Sequence, residues 1–164
     1  MAPSVDRTPH ARGSRGEGWV VAQLFVMAFV AIAPWILPRS AVLPDSGAWR
    51  IAGAMLLLAG AMGGARAVVR LGPNLTPYPR PRRRGVLITT GPYAVVRHPI
   101  YASVVAMAAG WALAWGSMPT LGGAAALVLL FDLKSRREER WLVERFPEYA
   151  DYQRRVRKLV PFVY

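Results

Sequence analysis

Long stretches without a charged residue are the feature that most limits how this chain can fold. No charge occurs from Gly18 to Pro38, from Ile51 to Ala65 or from Pro99 to Phe131, which are runs of 21, 15 and 33 residues. About 20 apolar residues in a helix cross the roughly 30 Å of hydrocarbon in a bilayer. Charged residues make up 18% of the chain, whereas soluble domains usually have about 25%. The sequence therefore predicts a membrane protein.

The lengths of these runs predict an all-α, polytopic membrane helical bundle with about four transmembrane helices. The longest run is too long for one helix and shorter than the roughly 40 residues that two full spans need. The break from Gly116 to Pro119 divides it into a tight helical hairpin, and both outer ends of the hairpin then extend into charged sequence. The expected spans are about 18–38, 48–66, 94–116 and 119–134.

The remaining segments complete a single membrane domain over residues 18–164. Residues 1–17 are polar, and we expect them to be disordered. The first span is too long for a cleavable signal, and Pro34-Trp35 stands where such a signal has small residues. In the tail, 135–164, apolar residues recur at three- and four-residue steps. They predict an amphipathic helix pair broken at Pro147, lying on the membrane or over the bundle mouth.

The distribution of cations predicts the orientation. Two of the 21 Lys and Arg residues, Arg39 and Arg50, fall in the loop after the first span, and none falls in the hairpin turn. With four spans, the other 19 lie on one side, which the positive-inside rule assigns to the cytoplasm. We therefore expect a multi-pass protein with both termini cytoplasmic, in a bacterial inner membrane. The absence of cysteine excludes disulfides and thiolate sites.

The loop from Leu71 to Ile88 contains four prolines and cannot form a regular helix. Its cluster Arg82-Arg83-Arg84 has two interpretations, an anchor on anionic lipid or a contact with nucleic acid. No stacking aromatics are interleaved with a basic surface of the size of a groove, so we expect membrane lipids and no nucleic acid as partners.

Two polar clusters flank the hairpin and are the candidate site. One runs from Gly91 to Tyr101 and the other from Lys134 to Glu139. Because they begin and follow the same hairpin, they should be neighbours in space. Ionisable groups at the edge of a membrane bundle are candidates for function.

Each of these residues also has a purely structural interpretation. His98 could be a hydrogen-bonded cap rather than a ligand, held at a kink because Pro99 biases it away from helical geometry. Glu138 and Glu139 could simply pair with nearby arginines on a solvated helix. One histidine outside the amino-terminal segment, and no cysteine, do not make a ligand set, so no metal site is expected.

Taken together, the two clusters resemble the isoprenylcysteine carboxyl methyltransferase and phospholipid methyltransferase superfamily of integral membrane enzymes. The matching segments are Leu87 to Tyr93, Arg97 to Tyr101, and Glu138-Glu139 with the Leu142, Phe146, Tyr149 and Tyr152 that follow. The resemblance extends over roughly residues 71–162. The first two spans contribute little to it.

The resemblance implies S-adenosylmethionine as cofactor, bound by the carboxy-terminal half of the bundle. The stretch matching His98 to Tyr101 would contact the cofactor, and Glu138 would hold its amino acid or ribose portion. A carboxylate suits an ammonium, and aromatic rings such as Tyr93 or Tyr101 suit a sulfonium. The expected cofactor-binding residues are Gly91, Tyr93, His98, Pro99, Ile100, Tyr101, Glu138 and Glu139.

Arg97 and Lys134 are the residues expected on the side of the methyl acceptor, where two cations would suit an anionic head group. In the protein-methylating branch an arginine stands where this chain has Lys134. Lysine keeps the charge but loses the bidentate fork. Ser103 also departs from the family, which usually has a glycine there, and its small side chain still allows close backbone approach.

The leading hypothesis is a methyltransferase for a lipophilic acceptor that enters from the bilayer. A prenylcysteine carboxylate, a phospholipid amine and a small hydrophobic molecule all remain open as that acceptor. The alternatives are a membrane reductase of the sterol type that uses NADPH, whose cofactor phosphate would call for several arginines, and a noncatalytic lipid-binding membrane protein. Methyl transfer from a sulfonium needs alignment more than a strong base.

Overall fold

The computed structural model describes residues 16–38, 46–80, 85–161, 163 and 164. It confirms the predicted all-α class. Within these ranges the regular structure is helical, apart from one isolated bridge between Val96 and Arg157. The helices are α1 (Glu17–Ile36), α2 (Gly47–Leu71), α3 (Pro99–Trp115), α4 (Met118–Arg145) and α5 (Tyr149–Arg155), with short 3-10 turns at Gly72–Asn74 and Gly91–Ala94.

Helix α2 packs most extensively against α3, through positions where only glycine fits. A Cβ atom on Gly53 would lie 2.5 Å from the backbone nitrogen of Ala114, and one on Gly110 would lie 2.6 Å from the carbonyl oxygen of Gly53. Gly60 approaches Ser103 in the same way, since its Cβ would lie 2.9 Å from the Ser103 carbonyl oxygen. Small residues therefore bring the two backbones into contact, as is usual for helices in membranes.

Helix α1 packs against α4 and completes the bundle. The buried core contains Val30 from α1, Ala108 from α3, and Leu127 and Phe131 from α4. Gly123 allows the contact, because its Cβ would lie 2.7 Å from a methyl group of Val30. The hairpin of α3 and α4 thus lies between α2 and α1.

In the described part of the chain, three helices are long and apolar enough to cross a membrane: α1, α2 with its 3-10 extension, and α4. Helix α3, the third expected span, has 17 residues, at the lower end of the spanning range. Large apolar side chains are exposed on the outside of the bundle, including Phe25 at 73% and Val69 at 81%. Such a surface suits lipid rather than water.

Several helix boundaries differ from the expected spans. Helix α2 continues to Leu71, past the expected end at residue 66. Helix α3 begins at Pro99 rather than at residue 94, because His98 has φ −124° and ψ 63°, outside the helical region. Helix α4 continues without a break to Arg145, so the whole second polar cluster is helical. Glu17 is already in α1, although it was expected in the disordered terminus.

The carboxy-terminal helix pair is shorter than its pattern predicted. Pro147 separates α4 from α5, as expected, but α5 ends at Arg155, so Val156 and Val160 lie outside a helix. Tyr149 and Tyr152 are buried and face the rest of the protein. The segment therefore covers the mouth of the bundle, one of the two predicted positions. The expected disorder of residues 1–15 and the role of Arg82-Arg83-Arg84 concern residues outside the described ones.

Candidate active site

A cavity of about 330 Å³ opens among the polar clusters, which is within the usual size range of ligand sites. It lies at the charged end of the bundle, which we define as the start of α3 and residues 132–145 of α4. Helix α1, the segment after α2, α3, α4 and α5 all contribute to its wall. The cavity is thus a product of the whole bundle rather than of one segment.

Most of the site residues expected from the sequence line this one cavity. They are Tyr93, Arg97, His98, Pro99, Ile100, Tyr101, Lys134 and Glu138. Gly91 and Glu139 do not line it. Gly91 has φ +65° at the start of a 3-10 turn, and a Cβ atom on it would lie 3.6 Å from the side chain of Arg70.

Glu138 presents its carboxylate to the cavity next to an aromatic column. The Tyr101 hydroxyl donates a hydrogen bond of 2.9 Å to Oε2 of Glu138, and Nδ1 of His98 lies 4.0 Å from the same oxygen. The His98 ring stacks on Tyr101, and Tyr101 stacks on Phe131 with 4.5 Å between ring centroids. This stacking fixes the direction of the Tyr101 hydroxyl and so of the carboxylate it holds.

Glu139 is turned away from the cavity and links three segments. Its Oε1 accepts a hydrogen bond of 2.8 Å from Nε of Arg97 and lies 2.9 Å from Nε2 of His98. Its Oε2 accepts one of 3.1 Å from the Gln153 amide, and the Tyr149 hydroxyl lies 3.5 Å from Oε1. A buried carboxylate with this many donors is a structural junction.

Arg97 also ties the carboxy-terminal segment over the cavity. Its Nη1 donates to the backbone carbonyls of Gln153, at 3.1 Å, and of Val156. The backbone amide of Arg97 donates to the carbonyl oxygen of Arg157 at 2.8 Å, and the backbone amide of His98 donates to the carbonyl oxygen of Lys158 at 3.0 Å. The side chain of Arg97 therefore serves the closure of the site as well as its wall.

Lys134 places a buried ammonium on the cavity wall, one turn before Glu138 on α4. The residue is 1% exposed. Its Nζ donates to Oε1 of Gln23 at 2.6 Å and to the carbonyl oxygen of Pro77 at 3.0 Å, and lies 5.2 Å from the centroid of the Tyr101 ring. Both hydrogen-bond acceptors are neutral groups, so neither places a negative charge in contact with the ammonium.

The tyrosines around the cavity remain neutral hydroxyls. Burial raises the pKa of the Tyr93 phenol, and the nearby Glu138 carboxylate raises it further. Burial likewise raises the pKa of Tyr149, followed by the effects of Glu139 and Glu138. These rings can therefore face a cation as uncharged aromatic surfaces.

The side chains that line the cavity fit the chemistry of S-adenosylmethionine, the cofactor expected from the sequence. The cavity wall carries a carboxylate for an ammonium, neutral aromatic rings for a sulfonium, and apolar side chains such as Ile100 and Leu142 for a flat base. In the ranges that the structure describes, no three His, Cys, Asp or Glu residues come together as a metal site.

Gln23 and Pro77 are site residues that the sequence reasoning did not identify. Gln23 is the one side chain with an amide or hydroxyl in the charge-free run from Gly18 to Pro38. A polar residue within a span usually faces the bundle interior, so this signal was present. Pro77 contributes only its backbone carbonyl, for which the sequence offered no signal.

Comparison with known proteins identifies relatives among membrane methyltransferases. The sequence model of the phospholipid methyltransferase family matches residues 49–149. The fold is similar to that of the eukaryotic intramembrane Ras methyltransferase ICMT (isoprenylcysteine carboxyl methyltransferase), with a TM-score of 0.68 over 96% of this chain and 55% of that one. The sequence identity is 21%, so this likeness concerns the fold.

Two curated bacterial proteins are also similar. The cobalt-zinc-cadmium resistance protein CzcN of Cupriavidus metallidurans is 33% identical over 81 residues, which are 49% of this chain and 38% of that protein. The nickel-cobalt-cadmium resistance protein NccN of Alcaligenes xylosoxydans xylosoxydans is 36% identical over 111 residues, which are 66% of this chain and 51% of that protein.

The chain thus spans about half the length of these relatives or less. The family match, by contrast, extends over more than half of this chain and contains both polar clusters. Together with the shared membrane fold, this match shows that the chain belongs to the phospholipid methyltransferase family.

Proposed function

We propose that this protein is a membrane methyltransferase that uses S-adenosylmethionine and acts on a lipophilic acceptor. The acceptor enters from the bilayer, and the donor enters from the charged end of the bundle. Membership of the family supports the reaction class. The residues of the cavity support the cofactor and the type of acceptor.

The observation that carries the proposal is the placement of opposite charges on one helix of the cavity wall. Glu138 and Lys134 both line the cavity and are four residues apart on α4, which is about one turn or 6 Å. The carboxylate lies toward the charged end and the ammonium toward the apolar bundle. One cavity thus offers a subsite for a cation next to a subsite for an anion.

Glu138 is the residue that would bind the donor's ammonium, with Tyr101 holding the carboxylate in place. His98, Tyr93 and Tyr101 present ring surfaces and edges around it. S-adenosylmethionine, when bound, supplies an electrophilic methyl group on a sulfonium sulfur. The protein's own part is to orient the two reactants and to exclude water.

Lys134 is the residue that would meet the acceptor head. Arg97, expected beside it from the sequence, is bound to Glu139 and to two backbone carbonyls, so the acceptor role falls mainly to Lys134. Lys134 comes one turn before Glu138 on α4 and so lies nearer the membrane interior, where a lipid head arriving from the bilayer would reach it. The ammonium there attracts an anionic head and repels a sulfonium, which favours the acceptor near Lys134 and the donor near Glu138. The hydrocarbon part of the acceptor remains among the apolar helices.

A reductase that uses NADPH is less well supported by the cavity. Among its described lining residues Arg97 is the one arginine, and its guanidinium already serves Glu139 and two backbone carbonyls. Lys134 is then the one other Lys or Arg on the described wall, whereas the cofactor's phosphates would call for several cations.

Calorimetric titration of the purified protein with S-adenosylmethionine and with NADPH tests the proposal. We expect saturable binding of the first and none of the second. Labelled donor incubated with extracted bacterial lipids and with prenylcysteine analogues should then give a labelled lipophilic product. Binding of NADPH alone would support the reductase, and binding of neither would support the noncatalytic lipid-binding protein.

We also propose a bacterial inner membrane as the location, with both termini and the cavity on the cytoplasmic side. The distribution of cations along the sequence supports this orientation. It also places the cavity mouth where a soluble cofactor is available.

A further inference from the structure

Helix α1 contributes one polar group to the cavity, the Gln23 amide. Among the described lining residues, Gln23 is the one that comes from α1. Its Oε1 accepts a hydrogen bond of 2.6 Å from Nζ of Lys134, and its Nε2 lies 3.7 Å from the sulfur of Met27 one turn further on. The amide is therefore held in one orientation, with its oxygen toward the ammonium. The family match begins at residue 49 and does not include this helix.

The environment of Lys134 is unusual because its hydrogen-bond partners carry no charge. Gln23 and the Pro77 carbonyl take two of its three donors, and the described residues offer no hydrogen-bond partner for the third. Glu138, the carboxylate one turn further along α4, attracts the ammonium but forms no ion pair with it, and its Oε2 accepts a hydrogen bond from the Tyr101 hydroxyl. Arg97, the other cation on the wall, is bound to Glu139. No described group therefore pairs directly with the charge of Lys134.

A buried ammonium without a counter-ion is costly, and a folded protein usually pairs it with a carboxylate. Glutamine at position 23 supplies a hydrogen bond without supplying that negative charge. The arrangement leaves the electrostatic attraction of the ammonium available to a ligand. It also leaves one N–H group to donate to an oxyanion.

We propose that Gln23 is a positioning residue that makes the cavity selective for an acceptor with an anionic oxygen head, a carboxylate or a phosphate. It holds the Lys134 ammonium in place on the cavity wall without putting a negative charge in contact with it. This inference rests on the proposed function, since it concerns the acceptor side of that site. It adds α1 to the residues that determine specificity.

The substitution Gln23→Glu tests the charge directly, because glutamate has nearly the same shape and would pair with Lys134. The probes are dodecanoate and dodecanamide, which share a chain and differ in head charge, titrated calorimetrically into the protein in neutral detergent at pH 8. We expect the wild type to bind dodecanoate at least tenfold more tightly than dodecanamide. Gln23→Glu should reduce this preference to less than threefold and change affinity for S-adenosylmethionine by less than threefold.

A second variant keeps the inference testable if Gln23→Glu fails to fold. Gln23→Met removes the hydrogen bond without adding charge and should weaken dodecanoate binding about threefold. In a Lys134→Met background, which should itself lose the preference, the same substitution should have no further effect. An equal loss in both backgrounds would show that Gln23 does not act through Lys134.

The outcomes separate this inference from the proposed function. If the wild type binds S-adenosylmethionine but does not prefer dodecanoate, or if Gln23→Glu keeps the full preference, the inference about Gln23 is wrong while the methyltransferase proposal stands. If the wild type does not bind S-adenosylmethionine, the proposed function is wrong, whatever the preference between the two probes.

Discussion

The Tyr101 hydroxyl and the Glu138 carboxylate are joined by a hydrogen bond of 2.9 Å that connects the first turn of α3 to the charged half of α4. Glu139, the next residue, points instead to Arg97 and His98 behind the cavity wall. Two adjacent glutamates therefore have different surroundings. Glu138 lines the cavity, where a ligand would bind, and Glu139 holds segments of the fold together.

Replacing Glu138 with alanine should weaken donor binding and leave the bundle folded. The loss of a charge-assisted hydrogen bond costs about 1.5–3 kcal/mol, which is roughly a 10- to 100-fold loss of affinity. Calorimetry with S-adenosylmethionine in detergent measures this change. The matched control is Glu144→Ala on the exposed part of the same helix, which should leave affinity unchanged. Wild-type affinity in Glu138→Ala would remove this residue from the site.

Replacing Glu139 with alanine should instead destabilise the protein. Removing one partner of a buried pair leaves the other charge uncompensated and costs about 3–5 kcal/mol. Arg97, His98 and Gln153 would all lose an acceptor. Thermal unfolding in detergent should show a much larger decrease of Tm for Glu139→Ala than for Glu138→Ala. Equal Tm values for the two variants would contradict the structural role.

Lys134 and His98 should affect different reactants. Lys134→Met should raise the KM of the lipid acceptor and leave the donor Kd nearly unchanged, because Lys134 lies one turn nearer the membrane interior than Glu138. His98→Ala should do the reverse. Labelled methyl transfer and donor calorimetry measure the two quantities, with Arg140→Met as an exposed control on α4. A loss of donor affinity in Lys134→Met as large as that in Glu138→Ala would place both residues in the donor pocket.

The glycine contact between α2 and α3 should not tolerate a methyl group. Gly53→Ala would place its Cβ 2.5 Å from the backbone of Ala114, and overpacking of this kind costs about 1–3 kcal/mol. At Gly122 on α4 a Cβ would meet nothing within 4 Å. Gly122→Ala should therefore be neutral or stabilising by up to about 1 kcal/mol. Thermal unfolding of both variants gives the comparison, and an unchanged Tm for Gly53→Ala would be the contrary result.

The proposed orientation predicts which single cysteines are labelled from each side. The hairpin turn is best probed at Met118, which is exposed, because Ser117 is buried and its side chain caps α4. Met118→Cys should react with an impermeant thiol reagent from outside intact cells. Arg155→Cys, after α4, should react only once the inner face is opened. The reversed pattern would overturn the topology.

The sequence by itself determined that this chain is a helical membrane bundle. Charge-free runs long enough to cross a bilayer form helices, because backbone groups without hydrogen bonds are too costly in hydrocarbon. It also determined that the two polar clusters meet, since the turn at Gly116 folds the hairpin and brings its two outer ends together. Most of the expected site residues therefore line the cavity, because they lie beside the hairpin.

Tertiary structure decided which face each of those residues presents. The sequence put both Glu138 and Glu139 among the expected cofactor-binding residues, and only the family resemblance gave Glu138 a role of its own. Only the helical phase of α4 relative to α3 and α5 separates a carboxylate in the cavity from one behind it. Gln23 reaches Lys134 from 111 positions away, through the packing of α1 against α4. Contacts between residues so far apart in sequence depend on how whole helices pack, and local sequence patterns do not specify that packing.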